Sequence, residues 1–117
     1  MEKRKKLRIK THSAAKLVSS TQLKLIYGYL DNLSEDGMGI MSPEWLAPGS
    51  RFTCGFFLKD GTEKVNTIAT LVHTSKGIDS IYYHGFRFDY ISSLDRQAVA
   101  DFINRETKSL SQCQNIV

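Results

Sequence analysis

Residues 8–37 read RIKTHSAAKLVSSTQLKLIYGYLDNLSEDG, two alternating runs joined by one polar turn and followed by another. In the first run Ile9, Thr11, Ser13, Ala15 and Leu17 alternate with Arg8, Lys10, His12, Ala14 and Lys16. In the second, Leu23, Leu25, Tyr27 and Tyr29 alternate with Lys24, Ile26 and Gly28. A period of two is the repeat of an extended strand, whose successive side chains point to opposite faces. Ser19, Ser20, Thr21 and Gln22 supply the turn between them. Folding the pair about Ser20 sets Leu17 against Leu23, Ala15 against Leu25, Ser13 against Tyr27 and Thr11 against Tyr29. This register predicts both tyrosines on the inward face. It also puts Arg8 opposite Asn32, so the basic N-terminus and the DNLSEDG turn meet at one end of the hairpin.

Working outward, Phe52 to Leu58 and Thr62 to His73 flank Asp60-Gly61, a two-residue hairpin signal because Gly tolerates positive φ. Ile81 to Phe88, rich in aromatics, follows the Ser75-Lys76-Gly77 turn and reads as another strand. Trp45 lies in a proline-bounded loop, Ser42 to Gly49, and is expected to plug a barrel end. After Ser92-Ser93 the period changes: Leu94, Ala98, Val99, Phe102 and Ile103 follow helical spacing, and Ser92 with Asp95 resembles a capping box. Helix is predicted from about Leu94 to Lys108. The expected fold is mainly β, a small six-stranded antiparallel barrel with a C-terminal α-helix. Its parts are a basic arm over 1–10, the barrel plus helix over 8–110, and a tail over 111–117.

A chain of 117 residues with 41% hydrophobic and 24% charged content is sized for one globular domain. No run approaches the ~20 apolar residues of a membrane span, and no apolar segment behind the basic start reads as a signal peptide. Cys54 and Cys113 make no disulfide framework, so a reduced, cytoplasmic protein is expected. The net charge of +4 is concentrated: Lys3, Arg4, Lys5, Lys6, Arg8 and Lys10 outweigh it, leaving the remainder slightly acidic. Such an arm favours anionic partners.

Arg4 and Arg8 offer planar guanidinium forks that can grip phosphate or a purine acceptor edge in bidentate fashion. Asn32 and Ser34 offer an amide and a hydroxyl for base edges. Gly37 and Gly39 remove side chains where a ligand must come close. Taken alone, DNLSEDG is as readily a turn closed on itself through Asn32, Ser34 and Asp36. Set beside the arginines, it points to a phosphate-and-base site. His12, His73 and His84 are scattered and neither cysteine has a ligand-spaced neighbour, so no metal is expected. No Ser–His–acid or Cys–His arrangement and no P-loop stands out, so neither catalysis nor a cofactor is indicated.

Arg4-Lys5-Lys6-Leu7-Arg8 fits RxxxR, and Asn32-Leu33-Ser34-Glu35-Asp36-Gly37 fits [D/N]xSxxG, with 23 residues between the motifs. The pair, together with His84-Gly85-Phe86-Arg87-Phe88 ahead of the helix, resembles the PilZ domain, the bacterial receptor module for cyclic di-GMP. The resemblance implies that Arg4 and Arg8 hold the ligand's phosphates and guanine acceptor edge. It implies that Asn32 and Ser34 bond a guanine and that Gly37 lets the turn close. Lys3 and Arg87 would add contacts, Lys3 favouring a second, stacked ligand molecule. Asn32 in place of Asp removes one negative charge, and Asp31 sits one place out of register. The function implied is a non-enzymatic receptor or adaptor that signals to a protein partner; the like charges of residues 1–7 lead to the further expectation that ligand binding orders the arm. Two alternatives stand beside it: a PilZ-like interaction module without nucleotide, and a basic barrel binding RNA or single-stranded DNA. The latter asks for exposed aromatics interleaved with cations, and tyrosines on the inward alternation argue against it.

Overall fold

Six strands and one helix succeed one another in the computed structural model of the chain, which describes residues 7–58 and 63–115, with side chains as far as Lys108. They are β1 (Ile9–Ser19), β2 (Leu25–Leu33), β3 (Gly37–Ser42), β4 (Arg51–Phe57), β5 (Lys64–Lys76), β6 (Tyr82–Ile91) and α1 (Ser93–Asn115). The strands close into a barrel in the order β1-β2-β3-β6-β5-β4, every pair antiparallel. Closure pairs every strand on both sides and leaves no edge to recruit another chain. Leu17, Ile26, Leu30, Ile40, Phe56 and Leu71 fill the interior, all fully buried or nearly so. The expected architecture is the observed one.

The first hairpin departs from its expected register. Leu17 pairs with Ile26, Ala15 with Gly28 and Ser13 with Leu30, three residues further along β2 than a fold about Ser20 allows. An odd shift exchanges the two faces of a strand. Ile26 and Leu30 therefore point into the core, while Tyr27 and Tyr29 are 67% and 56% exposed. The turn is the reason. Ser19 N–H donates to Lys24 O at 2.9 Å, and Leu23 adopts φ of 53°, so the connection is longer than the polar run suggested and absorbs Leu23.

β3 is the strand without alternation in the sequence, because both its faces are covered: Met38 and Ile40 face the core, and Gly37 and Gly39 are buried under neighbouring side chains. Asp60-Gly61 lies outside the described residues, but the hairpin it was assigned to is present: Leu58 N–H donates to Glu63 O at 2.8 Å. Trp45 does not plug the barrel; it is 59% exposed, and Leu46 is buried in its place. The Thr74 hydroxyl donates to Leu46 O at 2.8 Å, tying this loop to β5 at the residue that is buried.

α1 begins where expected. Ser92 Oγ accepts the Asp95 N–H at 3.1 Å, an N-cap bond. The Asp95 carboxylate accepts from Asn66 N–H at 3.2 Å, tying the helix start to β5 rather than closing the box on Ser92. Val99, Phe102 and Ile103 bury one helical face against the barrel. The backbone helix continues to Asn115, through residues whose sequence carries no helical signal. No helix among the described residues is long and apolar enough to cross a membrane.

Candidate functional site

Two bulges shape one end of the hairpin. The β1–β2 register shifts between Lys10 and Ser13, and the β2–β3 register shifts between Leu30 and Asn32. A bulge adds a residue to one strand and re-aims the side chains around it. Here it sets Asp31 and Asn32 side by side: Asn32 Nδ2 donates to Asp31 Oδ2 at 2.9 Å. Lys10 Nζ lies 3.2 Å from the same carboxylate oxygen. From the other side the Arg8 guanidinium donates to Asn32 Oδ1. Arg8, Asn32, Asp31 and Lys10 thus form one continuous polar row across the end of β1 and β2.

The floor beside that row is glycine. A Cβ at Gly37 would collide with the Phe86 carbonyl oxygen and come within 3.5 Å of the Arg8 guanidinium. A Cβ at Gly39 would lie 2.5 Å from Asn32 Nδ2 and 2.7 Å from the Tyr83 ring. The guanidinium, amide and phenol can occupy these places because the glycines leave them open. Tyr83 forms the far wall, its hydroxyl 3.4 Å from Asn32 Nδ2. Arg87 pairs in register with Gly37 on β3, and its guanidinium is held 3.3 Å from Asp89. Asp89 itself is kept below the usual carboxylate range, first by the Thr70 hydroxyl bond and then by Arg87 and Arg51.

Of the residues picked out in the sequence, Arg8, Asn32 and Gly37 are brought together, and Arg87 borders them. Ser34 stands behind them. It is fully buried, and its hydroxyl donates to Asp36 Oδ1 at 2.8 Å inside the turn that Ser34 N–H closes onto Gly37 O at 2.9 Å. The turn is pinned to β6 by Phe88 N–H donating to Asp36 O at 3.0 Å. The self-bonded reading of the turn therefore holds for Ser34 and Asp36, while Asn32 lies over Gly39 and bonds Arg8. Lys3 and Arg4 lie outside the described residues. Tyr83 escaped the sequence: it shares a strand face with Gly85 and Arg87, and pairing β6 against the glycines of β3 would have found it. Asp31, discounted in the sequence as one place out of register, joins the row through a bulge, which no spacing announces.

Among the described residues no cluster of His, Cys, Asp or Glu is arranged to hold a metal. Cys54 is buried and its thiol is pushed up to about 12 by desolvation, which leaves it protonated and unreactive.

Fold and site together define a small closed β-barrel module with a polar row, Arg8 to Lys10, set over a glycine floor at one end. The PilZ domain model matches residues 2–105, and the chain belongs to that family. Solved structures agree in fold. The PilZ domain of YcgR from Escherichia coli with c-di-GMP is 20% identical, with a TM-score of 0.76 over 99% of this chain and 100% of that one. MrkH of K. pneumonia in its c-di-GMP complex is 10% identical, with a TM-score of 0.78 over 96% of this chain and 56% of that one. The Bacillus subtilis inhibitor of motility MotI/DgrA is 15% identical, with a TM-score of 0.75 over 92% and 53%. The chain thus spans about half the length of MrkH and MotI and the whole of the isolated YcgR domain. No curated protein matches it.

Proposed function

We propose that this chain is a non-enzymatic cyclic di-GMP receptor of the cytoplasm, which passes the signal to a protein partner. The observation that carries the reading is the Arg8 guanidinium, set over the Gly37 floor and bonded to Asn32. Its support is the family membership and the fold likeness to YcgR and MrkH, both recorded with c-di-GMP. Arg8, with Arg4 from the arm, would hold phosphates and the guanine acceptor edge through charge-assisted bonds. Asn32 would read the guanine, and Tyr83 offers a ring for the base to pack against. Asp31 supplies beside Asn32 the carboxylate that an Asp at position 32 would have carried. Ser34 contributes by shaping the turn. Lys3 and Arg87 would add cationic contacts, and Lys3 would favour a second, stacked ligand.

The Arg8 guanidinium is bonded to Asn32 Oδ1, and ligand binding would exchange that bond for bonds to phosphate and base. Calorimetry should give a dissociation constant on the order of micromolar or tighter, about −8 kcal/mol. Arg8→Ala should lose most of that affinity with little change in Tm. Undiminished binding by Arg8→Ala would show that the site lies elsewhere.

The signal is assigned to the arm. Residues 1–6 carry Lys3, Arg4, Lys5 and Lys6, like charges that repel one another until the ligand's phosphates supply counter-charge. Folding the arm over the barrel end would present a new surface to the partner. Hydrogen exchange over these residues should slow on adding cyclic di-GMP. Equal exchange with and without ligand would rule out the arm as the switch.

A further inference from the structure

The register that turns β2 outward leaves a feature the cyclic dinucleotide site does not use. Tyr27 and Tyr29 stand on the outer wall two residues apart on one strand, a spacing of about 6.8 Å. Lys16 pairs directly with Tyr27, and Lys64 lies across Gly55 on the next strand, its Cε 3.1 Å and Nζ 3.7 Å from where a Cβ would stand. Neither lysine is within ion-pair distance of a carboxylate among the described residues. Two shallow clefts flank Tyr27. One, of about 270 Å³, is bordered by Lys16, Lys64 and Phe57; the other, of about 250 Å³, by Tyr29, Pro43 and Ile81. Tyr29 already carries one flat partner, the His12 ring, stacked at 5.3 Å with 5° between planes.

We propose that this face binds single-stranded nucleic acid, Tyr27 and Tyr29 stacking successive bases while Lys16 and Lys64 hold the phosphates between them. Stacked bases on an extended strand need aromatic faces at this spacing and cations that are not already neutralised. An acidic protein segment would use the lysines but has no call for two flat clefts beside the same ring. The local sequence supports the choice. Tyr27-Gly28-Tyr29-Leu30 repeats the aromatic–Gly–aromatic–aliphatic centre of the motif by which sheet-based readers stack RNA bases. The Lys/Arg-Gly that opens that motif is Leu25-Ile26 here. Gly28 keeps the strand close to β3, where a Cβ would meet the Met41 carbonyl at 2.5 Å. The inference stands independently of the cyclic di-GMP reading.

The test is fluorescence anisotropy of the full chain with oligo-dT and oligo-rU of about 12 nucleotides, the matching duplex, and poly-Glu, at about 50 mM salt. Single strands should bind at least tenfold tighter than duplex. Tyr27→Ala and Tyr29→Ala should each weaken single-strand binding at least fivefold, and Tyr27→Phe should restore it. Lys16→Ala and Lys64→Ala should each reduce the slope of log K against log salt by about 0.7. The proposal is overturned by absent single-strand binding, or by tyrosine variants that bind as the parent does while Lys5→Ala/Lys6→Ala loses the interaction. Tighter, tyrosine-dependent binding of poly-Glu would reassign the face to an acidic protein segment and overturn it too.

Discussion

Gly39 shows how much of the site depends on an absent side chain. The Asn32 amide and the Tyr83 ring both occupy the volume a Cβ would take, at 2.5 and 2.7 Å. Gly39→Ala should therefore dislodge Asn32 from the Arg8 guanidinium and move Tyr83 outward, because both are ends of side chains that can swing. The expected result is at least a tenfold loss of cyclic di-GMP affinity, about 1.4 kcal/mol, with a smaller cost in stability. Calorimetry beside a thermal melt separates the two; unchanged affinity would show that the ligand does not use the Asn32–Tyr83 wall. At this scale the motif was legible and its division of labour was not. Asn32 and Ser34 look alike in a spacing pattern, yet one lies over Gly39 beside Arg8 and the other is buried with its hydroxyl bonded inside the turn. That difference is set where β2 ends at Leu33: Asn32 is still on the strand, while Ser34 folds back onto Asp36 and Gly37, and the point at which a strand gives way to its turn is not written in motif spacing.

At the scale of elements, α1 was legible because its buried residues follow a period no strand can satisfy. Phe102 is buried against the barrel, whereas Leu94, equally apolar and in the same helix, is 84% exposed. Phe102→Ala should cost about 3–5 kcal/mol, the range for removing a packed aromatic ring. Leu94→Ala should change stability by less than about 0.5 kcal/mol. Urea denaturation of the two variants distinguishes them, and similar midpoints would mean that the helix does not pack on the barrel through Phe102. β2 is the contrary case. Leu23, Leu25, Tyr27 and Tyr29 alternate as cleanly as Ile26 and Leu30, so periodicity alone offers two opposite answers. The deciding information is the length of the 19–24 turn, which fixes which set meets Leu17 and Ala15.

For the molecule as a whole, His84 links stability to pH. It is fully buried on β6, in register with Ile40 on β3 and Thr74 on β5, with Nδ1 3.3 Å from the Ile40 carbonyl oxygen. Burial disfavours the imidazolium and lowers its pKa below 6.5, against weaker opposing backbone bonds. The folded chain thus binds this proton less readily than the unfolded chain. Its stability is intact above about pH 6.5 and declines as pH falls from there towards the lower folded value. Tm should drop between pH 7.5 and 5.5 by more in the parent than in His84→Gln, which has no proton to gain. Equal drops in the two proteins would show that His84 does not contribute to the acid response.

What the sequence by itself determined is most of the inventory and its order: the strand-forming segments other than β3, at hairpin spacing, a helix of different period, an arginine motif, and a Ser–Gly turn that the first hairpin must carry to the same end. These follow from local periodicity and chain connectivity, which neighbouring strands cannot alter. What only the tertiary structure decided is orientation. Whether Tyr27 or Ile26 faces inward, whether Trp45 or Leu46 fills the barrel end, and whether Asp31 joins Asn32 depend on contacts between residues distant in the chain. An extended strand has two faces of nearly equal merit. The partner strand, through its turn length and its bulges, chooses between them.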